Sequence, residues 1–361
     1  MATQGLIFRY VNYWSLTDTW GGEFLPVEGE SVYVPAGLHL LVDIDSTPLL
    51  NAVLVEGSLI FPPHETDSNH LRTFDAQYVM VKGGYMEIGT EEFPYTSRLI
   101  ITMHGSKQMP EMPIYGNKCI AVRNGILEMH GIKREPTWTE LDTTANIGST
   151  TITLKEQVDW KAGDVIVIAP TGYDNHEAEE RTITAVDNSN PNKPVVTLDK
   201  ALQFKHYAAI EYYGDEFIEM RAEVGLISRN VIYRGDPETS SKNQYGAHIM
   251  LHSHGDESLI GRLEYVEFTD VGQAFQLGRY PIHFHLIGTV HNSYIRGNSI
   301  HHTYNRAVTI HAVHYLRVIR NVAYHTMGHT FFIEDAVETK NYLEENLAIL
   351  TMASWSLLNT D

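Results

Sequence analysis

Cysteine is almost missing from this chain: Cys119 is the single one in 361 residues. That excludes an intramolecular disulfide and any cysteine-based zinc cluster. The residue sits in the strand-like run Lys118-Cys119-Ile120-Ala121-Val122 and reads as a buried structural thiol, not a nucleophile. Long apolar runs are absent as well. No stretch approaches the roughly 18 residues that a membrane helix needs, and Met1 to Trp20 lacks the basic start and apolar run of a secretory signal. There is no Walker loop, no Gly-x-Gly-x-x-Gly between strand and helix, and no Gly-x-Ser-x-Gly elbow. Basic charge is scarce, with 26 Lys and Arg against 45 Asp and Glu and a formal net charge of -19. Such a balance argues against a nucleic-acid partner, which needs a basic face to displace counterions.

One window reverses the charge pattern. From Arg279 to Thr330, 52 residues hold five arginines and nine histidines but no lysine, aspartate or glutamate. In so acidic a chain this predicts a locally neutral-to-positive surface suited to an anionic or hydroxyl-rich ligand.

What is present is β-structure throughout. From Val32 to Ile126, short apolar runs such as Ala52-Val53-Leu54-Val55 and Leu99-Ile100-Ile101-Thr102 alternate with glycine, proline and aspartate. Helical spacing never persists for three turns. Thr151 to Leu198 continues in the same style and reads as a small barrel or sandwich insert. The chain is therefore divided into a glycine-rich β module at 1–140, an inserted β subdomain at 141–215 and β-helix repeats at 216–361.

The third segment resembles itself. Aligning Val266-Glu267-Phe268-Thr269, Ile300-His301-His302-Thr303, Ala323-Tyr324-His325-Thr326 and Ala348-Ile349-Leu350-Thr351 spaces the threonines by 34, 23 and 25 residues. Asn298, Asn321 and Asn346 recur with steps of 23 and 25. Short strands at this period indicate a right-handed parallel β-helix, with asparagines laddering from coil to coil. The longer step contains a loop insertion around Gly272 to Tyr280.

The chemistry-bearing residues lie on the strand after each threonine. His283 and His285 share one strand face, with Phe284 on the other. If rungs stack about 4.8 Å apart, His285, His311 and Glu334 form a column roughly 10 Å tall, and His248 extends it by one rung. Three readings stay open. The imidazoles of His248, His283, His285 and His311 would hold a divalent metal, a zinc-like transition metal or calcium. Alternatively, Glu334 or Asp335 works as a general acid or base with His311, as glycan cleavage requires. In the third, the column is a polar ladder whose members only satisfy one another. Arg279, Tyr280 and Arg306 are candidates for gripping a substrate carboxylate. His301, His302 and His325 read as stacked side chains near turns.

Several motifs carry a family resemblance. Trp20-Gly21-Gly22, Pro26-Val27-Glu28-Gly29-Glu30, Val34-Pro35-Ala36-Gly37, Gly89-Thr90-Glu91-Glu92 and Tyr115-Gly116-Asn117-Lys118 look like a G8 domain. Arg221 to Asn230, Arg279 to Leu286, Ser299 to Thr303 and Gly328 to Asp335 resemble the parallel β-helix that follows G8 in the fibrocystin-L and hyaluronan-linked family. The ending Ser356-Leu357-Leu358-Asn359-Thr360-Asp361 is most like the fibrocystin-L branch. The resemblance implies a secreted or cell-surface module that binds an acidic polysaccharide and, in its enzymatic branch, depolymerises it. The alternative it leaves is a non-enzymatic structural or adhesion ectodomain. It also implies further rungs, or a partner chain, over the C-terminal strand edges.

Overall fold

The computed structural model describes residues 10–354. The closing stretch Ser356 to Asp361 lies outside them.

Alternation of apolar and polar residues makes each strand two-faced, and stacking buries the apolar face. The strand Ile282–Thr289 shows how. Ile282 and Phe284 are wholly buried in the solenoid core, while His283 and His285 point to the other side of the sheet. The result is a three-faced parallel β-helix. One face is a nine-stranded sheet, and the other two are joined into one 14-stranded sheet because the 12-residue strand Leu71–Lys82 turns the corner between them. Its first half pairs with Arg98–Met103 and its second half with Cys119–Arg123.

Residues 11–130 and 231–352 belong to the same two sheets. The chain of pairing runs without a break from Cys119–Arg123 through His248–His252, Ile282–Thr289 and Val308–His314 to Phe331–Ile333. The glycine-rich segment thus supplies the lower rungs of the solenoid that the later repeats continue.

The asparagine ladder is formed. Oδ1 of Asn321 accepts from the backbone N–H (3.0 Å) and Nδ2 (3.1 Å) of Asn298, and Oδ1 of Asn346 does the same for Asn321 at 3.0 and 2.9 Å. Thr303, Thr326 and Thr351 also stack in register. Thr269 does not: it pairs with His301, and Val271 pairs with Thr303. At this corner every rung places one residue in the left-handed region, Asp270, His302, His325 and Leu350, with φ of 53°, 51°, 53° and 56°. The sequence alignment of the first repeat was two residues out because it matched threonine to threonine, whereas the pairing runs at a constant offset two residues shorter, with Asp270 and His302 both skipped at the corner.

Between the fifth and sixth strands of the nine-stranded sheet the chain leaves the solenoid to build a six-stranded, antiparallel sheet from strands between Trp138 and Leu226, with its own core around Leu154, Ile166, Val196 and Val224. The expected small β subdomain is this sheet. Val167 and Ala169 on its flank pack against Val322, Tyr324 and Ile349 of the solenoid. A two-stranded hairpin, Ala208–Tyr213 and Glu216–Arg221, projects from it. No helix of the described residues is long and apolar enough to cross a membrane.

Candidate functional site

Parallel register sets the site. His252, His285 and His311 stand on consecutive rungs, one over the other. The next position is Glu334, whose N–H continues the ladder by donating to Ile310 O at 3.0 Å. Met250, His283, Thr309 and Phe332 form the neighbouring column. His283, His285 and His311 are brought together, with one ring nitrogen from each lying within 4.8 Å of the others.

The spacing of donor atoms is close to that of a coordination shell. Nδ1 of His285 and Nδ1 of His311 are 3.0 Å apart. Oε2 of Glu334 is 3.6 Å from Nδ1 of His311 and 3.9 Å from Nε2 of His283. A tetrahedral zinc shell with ligand distances of about 2.0–2.1 Å has edges of roughly 3.3 Å. Neither His283 Nε2 nor Glu334 Oε2 has a hydrogen-bond partner, although both atoms are buried.

The remaining ring nitrogens are held from behind. His283 Nδ1 is 3.0 Å from Gly278 O, and His311 Nε2 is 2.9 Å from Asp335 Oδ2. Partners of this kind orient metal-ligating histidines. Burial, with the neighbouring imidazoles, pushes His283 well below the ordinary histidine range and His285 down to about 4. Both rings are therefore neutral near pH 7 and keep a lone pair for a ligand.

The other sequence candidates fall in different places. His248 is wholly buried outside the cluster, its ring nitrogens taken by Tyr115 O at 2.8 Å and Gln273 Nε2 at 3.3 Å. The residue under His285 is His252, which the sequence reading missed. Its Nδ1 meets the Tyr115 hydroxyl at 3.0 Å. The signal for it was the spacing His248-x-x-x-His252, which puts both on one strand face, but the loop insertion hid which of them shares the register of His285.

Arg279 is spent on Ile114 O at 2.7 Å and Glu111 at 3.4 Å. Arg306 is wholly buried, its guanidinium 4.2 Å from the Tyr280 ring centre and 3.7 Å from that of Phe332. Its Nη1 lies 3.8 Å from Glu334 Oε2. The Tyr280 hydroxyl is 3.4 Å from Glu334 Oε1. Tyr280 and Arg306 thus flank Glu334 from inside instead of reaching out to a polymer.

Four of the window's five arginines do not form the expected positive surface; Arg317 stays exposed, its guanidinium 5.5 Å from the Tyr294 ring centre. Besides Arg279 and Arg306, Arg296 is paired with Glu91 and Glu264, and Arg320 with Glu135 and Glu345. These carboxylates come from rungs and loops outside the window, which local composition could not reveal. Cys119 is a buried free thiol, pushed up to about 12 by burial. His302 meets the His325 ring at a tilt, with centres 5.0 Å apart, and the Tyr324 ring edge-on at 5.7 Å.

Residues 19–142 match the G8 domain, and residues 244–361 match the CEMIP beta-helix. The chain thus carries a G8 domain followed by a CEMIP-type β-helix segment. This G8–β-helix chain is 39% identical to Fibrocystin-L of Mus musculus and 40% identical to Fibrocystin-L of Homo sapiens, over 98% of its length in each case. It spans 9% of the length of either relative. Among solved structures, the gp54 tailspike of Acinetobacter baumannii bacteriophage AP22, in complex with capsular saccharide, is similar over 93% of the G8–β-helix chain and 46% of the tailspike. The identity is 9% and the TM-score 0.23, a likeness too remote to bear on ligand.

Proposed function

We propose that this chain is a secreted or cell-surface carbohydrate-active module whose β-helix face holds a divalent transition metal and acts on an acidic polysaccharide of the hyaluronan type. The observation that carries the reading is the convergence of His283, His285 and His311 within 4.8 Å, with the unpartnered Oε2 of Glu334 beside them. Clustering buried titratable groups without internal partners is costly unless a ligand completes them. The three imidazoles are the ligands, with Asp335 and Gly278 O fixing their rings. Bound metal would supply a water of lowered pKa or a grip on a sugar carboxylate. Glu334 is the proton acceptor, held in place by Tyr280 and Arg306. The polysaccharide and the location rest on the family resemblance.

The test has two stages. Metal analysis of purified protein is expected to find about one zinc-like ion per chain, lost in His283→Ala and His311→Ala and retained in Glu334→Gln. Protein that takes up no metal from an added excess would remove the mechanism. Incubation with a panel of glycosaminoglycans then reads chain length, with shortening by wild type and none by Glu334→Gln. Metal-loaded wild type that neither binds nor shortens any of them would make the module a structural ectodomain instead.

A further inference from the structure

The hairpin Ala208–Tyr213 and Glu216–Arg221 exposes apolar side chains on both of its faces. Ile210, Tyr212 and Phe217 lie on one face, exposed by 40, 72 and 62%, and Tyr213, Ile218 and Met220 on the other, by 61, 53 and 40%. A two-stranded ribbon is marginal by itself, and apolar patches of this kind mark interaction surfaces.

Its backbone adds a direction. Strand residues alternate in which edge their N–H and C=O face. Ala222 N–H bonds Tyr207 O inside the ribbon, so the groups of Ala208, Ile210 and Tyr212 face the outer edge. Those of Ala208 are taken by the Thr144 hydroxyl. Those of Ile210 and Tyr212 have no hydrogen-bond partner among the described residues.

We propose that this edge pairs with the same edge of a second copy, forming a four-stranded antiparallel sheet about a twofold axis. Side chains of an antiparallel neighbour must keep their faces, which restricts the register to residues of like parity. One such register uses all four free groups. Ile210 of one copy lies opposite Tyr212 of the other, twice, and Glu211 sits on the axis. Each Ile210–Tyr212 contact is an aromatic and β-branched cross-strand pair.

The charges agree with antiparallel docking. The tip carries Asp215 and Glu216, while Lys205 at the base lies over Tyr207 with no carboxylate of the described residues within salt-bridge distance. The twofold brings the acidic tip of one copy to the basic base of the other. The carboxylate that meets its copy on the axis, Glu211, is already bonded by the Tyr207 hydroxyl.

Sedimentation of the whole chain over a concentration series tests this. A reversible dimer is expected, weakened at least about tenfold by Tyr212→Asp, which removes both Ile210–Tyr212 pairs and puts a charge on each strand of the interface. Non-hydrogen-bonded antiparallel neighbours have Cα atoms about 4.5 Å apart, within disulfide reach. Glu211→Cys should therefore cross-link under mild oxidation, whereas Tyr213→Cys should not. A chain that stays monomeric at all concentrations with no Glu211→Cys cross-link, or a dimer untouched by Tyr212→Asp, overturns the proposal and leaves the ribbon to a different partner.

Discussion

His130 is 1% exposed, its ring between Gly89 O at 3.3 Å and the Tyr294 hydroxyl at 2.9 Å. Burial pushes it down to about 4. Below pH 6.5 the unfolded chain takes up a proton that the folded chain refuses, so stability falls as pH drops from 6.5 toward 4. Nearby Glu128, which burial raises to about 7, runs the other way, because the folded state holds its proton over the range where the unfolded carboxyl has lost it. His130→Gln keeps Glu128 and isolates the histidine's part. Its stability deficit against wild type should shrink by roughly 1–2 kcal/mol between pH 7 and pH 5. Thermal unfolding at the two pH values measures this, and a deficit that stays constant would refute the assignment. The same scale explains why residue roles at the site were hard to read. Arg279 and Arg306 look like free cations in the sequence, yet Ile114 O and two aromatic rings already hold them.

At the scale of the element, the ladder of Asn298, Asn321 and Asn346 ties three coils together. Asn321→Ala would strip the acceptor from the backbone N–H of Asn298 and the donor from Ile295 O, both in the buried turn. Orphaned buried groups cost about 1–3 kcal/mol each. Denaturant unfolding should show a loss of roughly 2–4 kcal/mol; less than about 0.5 kcal/mol, the range of an ordinary surface change, would mean that the ladder bears little weight. The β-helix itself was legible because period and strand pattern repeat three times in the second half. The coils made by the first 130 residues were not, since the long strand Leu71–Lys82 and the irregular steps there hide the period. The stacking of His285, His311 and Glu334 followed from the repeat. His252 did not, because the step from it to His285 contains the loop from Gly272 to Tyr280.

For the whole molecule, the insert is welded to the solenoid by Val167 and Ala169 against Val322, Tyr324 and Ile349. Val167 is wholly buried there. Val167→Asp would place a carboxylate in that seam at a cost of about 3 kcal/mol or more. Hydrogen exchange should then speed up on both sides, in Val165–Ile168 and Val322–Met327, while the distant strand Leu50–Val55 keeps its protection. Uniform loss of protection would show that insert and solenoid unfold as one unit. Metal binding acts on the same scale. An ion that binds only the folded state adds about 2.7 kcal/mol at a hundredfold excess over its Kd. Added zinc should raise the thermal midpoint of wild type and leave His311→Ala unmoved.

The sequence by itself determined what repeats locally: all-β structure, alternating faces, an asparagine ladder, and histidines and a glutamate at matching points of successive coils. These follow from periods of two residues along a strand and of 23 to 25 along the chain, which any linear reading can detect. Only the tertiary structure decided the register between the first repeat and the second, which histidine stands beneath His285, and which carboxylates from distant rungs pair with the arginines. Those outcomes depend on register between segments far apart in the chain, and a single residue's slip there exchanges one sheet face for the other.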